Sequence, residues 1–245
     1  MLFFNRPSPL VQTDGFLSSI GTDIHSHLLP AVDDGVQEAA TAVHFIRQLQ
    51  AWGIRQIITT PHIKAARFDN TPATLQPAYE ILQQQLQADA LHVPLRYAAE
   101  YYLDENFQQR LAQPLLTLKD NLLLVEISFL WPPTALHQWI FDLISAGYQP
   151  LLAHPERYGY MHEDFSQYEN LKARGVQLQL NLLSLTGYYG KPVQKVARQL
   201  VDAKLIDYVG TDLHHNRHLE ALDALGRNKK MVRLLEQYGF KNNAL

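Results

Sequence analysis

Cysteine is absent from the 245 residues. That removes disulfides, thiolate metal sites and a cysteine nucleophile together, and it fits a reducing, cytoplasmic location. No apolar run approaches the length of a membrane span, so no membrane insertion is expected. The amino-terminal MLFFNRPSPLVQTDG has a short apolar patch broken by Asn5, Arg6 and two prolines, without the apolar centre of a signal peptide. Basic runs are missing too. Lys and Arg number 21 against 24 Asp and Glu, a formal net charge of −3, so nothing draws the chain to nucleic acid. With no low-complexity stretch and no Gly/Ser linker, we expect a single domain over residues 22–245 and leave 1–21 as an unassigned leader.

What the chain has in quantity is apolar character, 47% against 18% charged residues, enough for a large core. Short, often β-branched runs recur at 56–62, 94–102, 121–128, 148–156, 176–181 and 206–214. With the opening TDIHSH they suggest about seven strands. Helix-like segments lie between them at 37–51, 72–89, 134–146, 165–174 and 191–204, and NKKMVRLLEQYG near the end reads as one more amphipathic helix. Regular β-α alternation in one core predicts a parallel α/β barrel.

Reactive residues in such a barrel gather at the carboxyl ends of the strands. His25 and His27 end the first expected strand and His62 the second. Glu100 and Glu126 stand near the ends of the third and fourth, His154 ends the fifth, and Asp212 and His214 end the last. Alternation along a strand puts His25 and His27 on one face, and likewise Asp212 and His214. Asp23, on the same face as the first pair, is a candidate to orient a histidine.

Imidazoles mixed with carboxylates and no sulfur suit Mn, Fe or Zn. Asp34, Glu100, Glu126 and Asp212 in one cavity would repel one another. Two or three divalent metal ions would relieve that and leave a positive excess suited to a phosphate ester.

The ordered motifs DIHSHLLPAVDDG, TTPH, AAEYY, LLVEIS, LAHPERY and GTDLHH resemble the PHP (polymerase and histidinol phosphatase) superfamily, from about Thr22 to His218. Within it they are similar to the bacterial CpsB/YwqE type of metal-dependent protein-tyrosine phosphatase in capsule and exopolysaccharide synthesis. The resemblance implies a distorted seven-stranded (β/α)7 TIM-like barrel with three metals. It implies that His25, His27, Glu100 and Asp212 hold the first metal. Glu100 would bridge to a second, shared by Glu126 and His154, while Asp34, His62 and His214 take the third. Asp33 is left a turn or hydrogen-bonding role.

Arg157, after HPE, matches an arginine used at the substrate phosphate, and its planar fork suits that anion. The run LHHNRH departs from the pattern because His215 intervenes, which leaves Arg217 as the candidate second phosphate-binding arginine. His214 or a metal-held water is the candidate proton donor to the leaving group. The implied partner is a phosphotyrosine protein, the tail of a bacterial tyrosine autokinase. Phe68, Tyr101, Tyr102, Phe129, Trp131, Tyr158 and Tyr160 are candidates to line a ring-accepting mouth, against an equal expectation of core packing. Two rivals stand beside this reading: a small-metabolite phosphatase acting on histidinol phosphate, and a catalytically silent phosphotyrosine-binding partner of the kinase.

Overall fold

Each short apolar run finds a parallel neighbour, and the helices supply the crossovers that parallel pairing requires. The structure is a computed structural model describing residues 15–245. The stretch 1–14, read above as part of the leader, lies outside the described residues. The first half runs β1 (Thr22–Asp23), α1 (Ala39–Ala51), β2 (Gln56–Thr59), β3 (His62–Ile63), α2 (Pro72–Ala88), β4 (Leu95–Tyr97), β5 (Glu100–Tyr102) and α3 (Phe107–Arg110). The second half runs β6 (Leu122–Glu126), α4 (Leu136–Ser145), β7 (Gln149–Ala153), α5 (Ser166–Ala173), β8 (Gln177–Asn181), α6 (Lys191–Asp202), β9 (Tyr208–Gly210), α7 (Asn216–Gly226) and α8 (Lys229–Tyr238).

Among the described residues every strand pair is parallel, in the orders β1-β2-β4 and β3-β5-β6-β7-β8-β9. There are nine short strands among the described residues, against the expected seven, because the runs 56–62 and 94–102 are each interrupted, at Thr60–Pro61 and Ala98–Ala99. Pro61 has no N–H to give to a ladder. The backbones still run side by side: Ala98 N donates to Thr59 O at 2.9 Å and Glu100 N to Pro61 O at 3.1 Å.

The first strand is also shorter than TDIHSH suggested, for the chain bends after Asp23 and rejoins a neighbour only at the parallel bridge Ser26–Leu213. There His27 N donates to Leu213 O at 3.0 Å and Asp212 N to His25 O at 2.7 Å. At the other end of this seam the buried Asn242 amide donates to Thr22 O at 2.9 Å and accepts from Val209 N at 3.0 Å. The result is a curled parallel sheet in a single mixed α/β domain.

A large apolar layer packs helices against the outside of the sheet, and a smaller cluster fills the inside. The inner cluster draws Ile24, Ile58, Ala98, Leu124, Leu151 and Tyr208 from successive strands or their ends. All five residues of β6 are buried, as expected of a strand covered on both faces. Alternation puts Leu122, Leu124 and Glu126 on one face, so two leucines form a floor and the carboxylate stands above them. That floor ends where the polar site begins.

The core also starts earlier than residue 22. Phe16, Leu17 and Ile20 are buried, and the Phe16 ring lies 5.4 Å from Trp52. α2 opens with a reciprocal cap, Thr74 N to Thr71 Oγ1 at 3.2 Å and Thr71 N to Thr74 Oγ1 at 2.8 Å. No helix among the described residues is long and apolar enough to cross a membrane.

Candidate metal centre

Above the inner floor, the strand ends bring together side chains far apart in sequence. Four overlapping groups have candidate ligand atoms all within 4.8 Å of one another: His27–Asp34–His62–His214, His25–Glu100–His154, His25–His27–Asp212 and His62–Glu100–Glu126. Together they contain the nine residues singled out in the sequence as metal ligands. Glu100 is the hub. Its Oε2 lies 3.3 Å from His25 Nε2, 3.5 Å from His27 Nε2 and 3.0 Å from His62 Nδ1, while Oε1 lies 3.2 Å from His154 Nε2.

Partners behind the rings decide which nitrogen faces inward. His25 Nδ1 donates to the Gln179 amide oxygen at 2.8 Å, and that amide is itself fixed by donating to Leu180 O at 2.7 Å. His27 Nδ1 donates to Asp33 Oδ2 at 2.7 Å, and the same carboxylate accepts from His62 N at 2.9 Å and Gly35 N at 2.9 Å. When neutral, as a metal ligand must be, each ring therefore presents the lone pair of Nε2 to the centre. Buried His25 Nε2, His27 Nε2, His62 Nδ1 and Glu100 Oε2 have no hydrogen-bond partner, although all face one another. Buried acceptors without donors are costly, and a cation among them removes the cost. The donor set thus fits divalent metal.

Asp23 does not orient a histidine. Its carboxylate accepts from Thr211 N at 3.1 Å and Thr211 Oγ1 at 2.9 Å. Gln179 and Asp33 do that work instead. Two glycines permit the close approach: a Cβ on Gly35 would fall 2.3 Å from His27 O, and one on Gly210 would fall 2.5 Å from His25 Cβ. His154 and Asp212 adopt left-handed backbone, φ 36° and 50°, a strained conformation for residues with side chains.

Charge is unevenly shared. Burial disfavours charged His25, but Glu100 and Asp212 override it and raise the imidazole to about 9. Burial, with Glu100 adding to it, pushes Glu126 up to about 7. His154 falls to about 4 through burial and the nearby Arg157. His214 falls to about 3 through burial and His27. Its Nδ1 donates to Asp212 O at 2.8 Å, leaving the Nε2 lone pair 3.7 Å from Asp34 Oδ1.

The mouth is a cavity of about 330 Å³ whose lining includes Asp34, Lys64, Arg67, Phe68, Phe129, Arg157, Tyr189 and His218. Arg157 Nη1 donates to Asp212 Oδ2 at 2.8 Å, and its guanidinium lies 4.8 Å from the Phe129 ring centre and 4.3 Å from that of Tyr189. Arg217 is not there. It is exposed on the first turn of α7 and outside the cavity lining, because the extra His215 starts the helix and turns His218 inward.

The cations that sequence reasoning missed are Lys64 and Arg67, in the segment between β3 and α2. Of the aromatic candidates, Phe68 and Phe129 line the mouth, stacking on His62 at 5.5 Å and His154 at 5.4 Å. Tyr101 and Tyr158 are core, Tyr102 and Tyr160 half-buried, and Trp131 stands exposed. Asn181 reaches Asp212 Oδ2 at 2.8 Å, whereas Ser184 serves the buried Glu156 at 2.6 Å.

Fold and site together define a class: a curled parallel α/β protein with an imidazole–carboxylate candidate metal centre at its strand ends. The family model described as "Capsular polysaccharide synthesis, CpsB/CapC" matches residues 21–231. The chain belongs to the CpsB/CapC family. It is 34% identical over 207 residues to the tyrosine-protein phosphatase YwqE of Bacillus subtilis, covering 83% of this chain and 82% of that one. To the tyrosine-protein phosphatase CpsB of Streptococcus pneumoniae it is 24% identical over 200 residues, 79% and 82% of the two chains.

Among solved structures, one from work on YwqE of B. subtilis and CpsB of S. pneumoniae, described as unique metal-dependent tyrosine phosphatases, superposes with a TM-score of 0.78 at 32% identity. It covers 91% of this chain and 90% of that one. A histidinol phosphate phosphatase from Lactococcus lactis, solved with zinc, L-histidinol and phosphate, shares the fold at TM-score 0.51 and 15% identity, over 89% and 93% of the chains.

Proposed function

We propose that this chain is a metal-dependent phosphatase that hydrolyses phosphotyrosine in proteins. The observation that carries the reading is the set of buried, partnerless nitrogen and oxygen atoms around Glu100, at the base of a cavity that also holds Arg157. Its likeness to named tyrosine phosphatases supports the substrate.

Two or three divalent cations, manganese first and iron or zinc next, would be held by His25, His27, Asp34, His62, Glu100, Glu126, His154, Asp212 and His214. Bound there, they supply Lewis acidity toward the phosphoryl oxygens and activate water as the nucleophile.

The protein's own groups do the rest. Arg157 spends one N–H on Asp212 and keeps the others for phosphate oxygens. Phe68 and Phe129 give the phenyl ring of the substrate apolar faces to rest on. His214, with its Nδ1 proton committed to a carbonyl, works as a ligand rather than as the proton donor considered above. Arg67 and Lys64 take over from Arg217 as the remaining cationic groups at the mouth.

We further propose that the strands, counted through the two breaks, make up the seven positions of a distorted PHP-type barrel, in a domain of residues 22–245 to which the buried Phe16, Leu17 and Ile20 are added. The partner we assign is a phosphotyrosine protein of polysaccharide synthesis, a bacterial tyrosine autokinase, met in the cytoplasm. Phosphate release from a phosphotyrosine peptide tests the reading. Activity should vanish with a chelator and return with Mn²⁺. Binding of the peptide by metal-loaded protein without phosphate release would favour the silent partner instead.

A further inference from the structure

One rim of the cavity continues outward as an apolar step that catalysis does not use. Phe129 forms part of the cavity wall and is 38% exposed, and the next two residues, Leu130 and Trp131, are 76% and 63% exposed. Large apolar side chains side by side in water mark interaction sites. The step is also held in shape: Ser128 Oγ accepts from Leu130 N at 3.2 Å and from Trp131 N at 3.4 Å, and Ser128 O accepts from Tyr160 OH at 2.7 Å. Pro132 and Pro133 stiffen its far side. Residues 127–136 carry no charged side chain.

We infer that Leu130 and Trp131 form a docking surface for the peptide chain flanking the phosphotyrosine, a surface that prefers an apolar residue beside it. The inference rests on the phosphotyrosine reading above. Its occupant follows from continuity with the cavity. A phosphotyrosine seated against Phe129 has sequence neighbours within one or two residues, about 3.3–3.6 Å of extended chain each. Leu130 and Trp131 are one and two residues from Phe129, so they lie within the same reach. A free metabolite phosphate would have nothing to lay on this step. A rigid tryptophan at the edge of a binding cleft is the residue type on which binding energy concentrates.

The test compares Trp131→Ala and Leu130→Ala with the wild-type metal-loaded protein on two substrates, p-nitrophenyl phosphate and a phosphotyrosine peptide with leucine on either side. Trp131→Ala should raise KM for the peptide about tenfold with kcat little changed, leave p-nitrophenyl phosphate untouched and leave the unfolding temperature as it was. Trp131→Phe should recover most of the loss.

A second readout uses light. The chain has three tryptophans, and Trp52 and Trp139 are buried, so acrylamide-accessible emission belongs to Trp131. A non-hydrolysable phosphonate version of the peptide should shield it. Equal losses on both substrates, an unchanged KM for the peptide, or unaltered quenching would overturn the inference. So would a concentration-dependent dimer abolished by Trp131→Ala, which would give the step to a second copy. If the wild type cleaves p-nitrophenyl phosphate but not the peptide, the phosphotyrosine reading falls as well. If it cleaves both and the variants behave alike, only the docking surface falls.

Discussion

Replacing Gln179 by leucine keeps the approximate shape of a buried strand residue and removes its amide, both the oxygen that faces His25 and the nitrogen that donates to Leu180 O. That oxygen accepts the Nδ1 proton of His25 at 2.8 Å, and both residues are fully buried. The variant leaves a buried N–H without a partner and frees the ring to take the other tautomer, which would point a proton instead of a lone pair at Glu100 and Asp212. An unmet buried hydrogen bond costs about 1–3 kcal/mol. At about 1.4 kcal/mol per tenfold, metal affinity should fall by roughly 5- to 150-fold, in line with the ~10–100-fold typical of such outer partners.

The assay is competition for Mn²⁺ against a chelator of known affinity, with thermal unfolding of the stripped protein measured in parallel. Gly210→Ala attacks the same apparatus from behind, because its Cβ would fall 2.8 Å from Gln179 Nε2. Unchanged affinity in Gln179→Leu, with a folded protein, would refute the claim that this amide sets the ring of His25.

Three further outcomes follow from the same geometry. His25, raised from 6.5 to about 9 without metal, holds a proton whose stabilising contribution is complete below pH 6.5 and lost as pH rises through 9. Metal must displace that proton, so chelator competition should show affinity climbing about tenfold per pH unit across this window and levelling above it; a flat profile would contradict the assignment. Arg157→Ala should lower kcat/KM by roughly 10- to 150-fold, the worth of a charge-assisted hydrogen bond of about 1.5–3 kcal/mol, and steady-state kinetics on p-nitrophenyl phosphate would read it. Arg217→Ala should change kcat/KM less than about twofold, as exposed residues away from a site do; a large loss would return Arg217 to the phosphate.

Much of the site was legible because its chemistry sits in short, phase-locked motifs. The step from His25 to His27, and the repeat from Asp212 to His214, follow strand alternation; Glu126 and His154 end or follow β6 and β7, His62 and Glu100 open β3 and β5, and Asp34 lies in the loop after His27. The supports were harder to see. Gln179 sits in VQLQLN, where alternation sets Gln177, Gln179 and Asn181 opposite Val176, Leu178 and Leu180. In a strand covered on both faces, that polar face was itself a signal. Asp33 and Asp34 were told apart by the family resemblance alone, and the fold puts the first behind His27 and the second in the mouth.

Arg217 stands outside the cavity lining for a local reason. His215 caps α7, accepting from His218 N, so the helix begins at once and carries Arg217 outward. The break at Ala98–Ala99 was hidden because composition stays apolar across it, whereas Pro61, which cannot donate to a ladder, marks the break at Thr60–Pro61. Burial of Phe16 against Trp52 is a long-range contact that no window over residues 1–21 reports.

Elemental analysis of protein purified without added metal or chelator tests the central claim most directly, since it asks whether side chains gathered around Glu100 hold cations. Between two and three divalent ions per chain are expected, lost together with phosphotyrosine hydrolysis when His25 or Glu100 is replaced. A folded chain that carries less than one ion, or that hydrolyses the peptide undiminished after stripping, would contradict it.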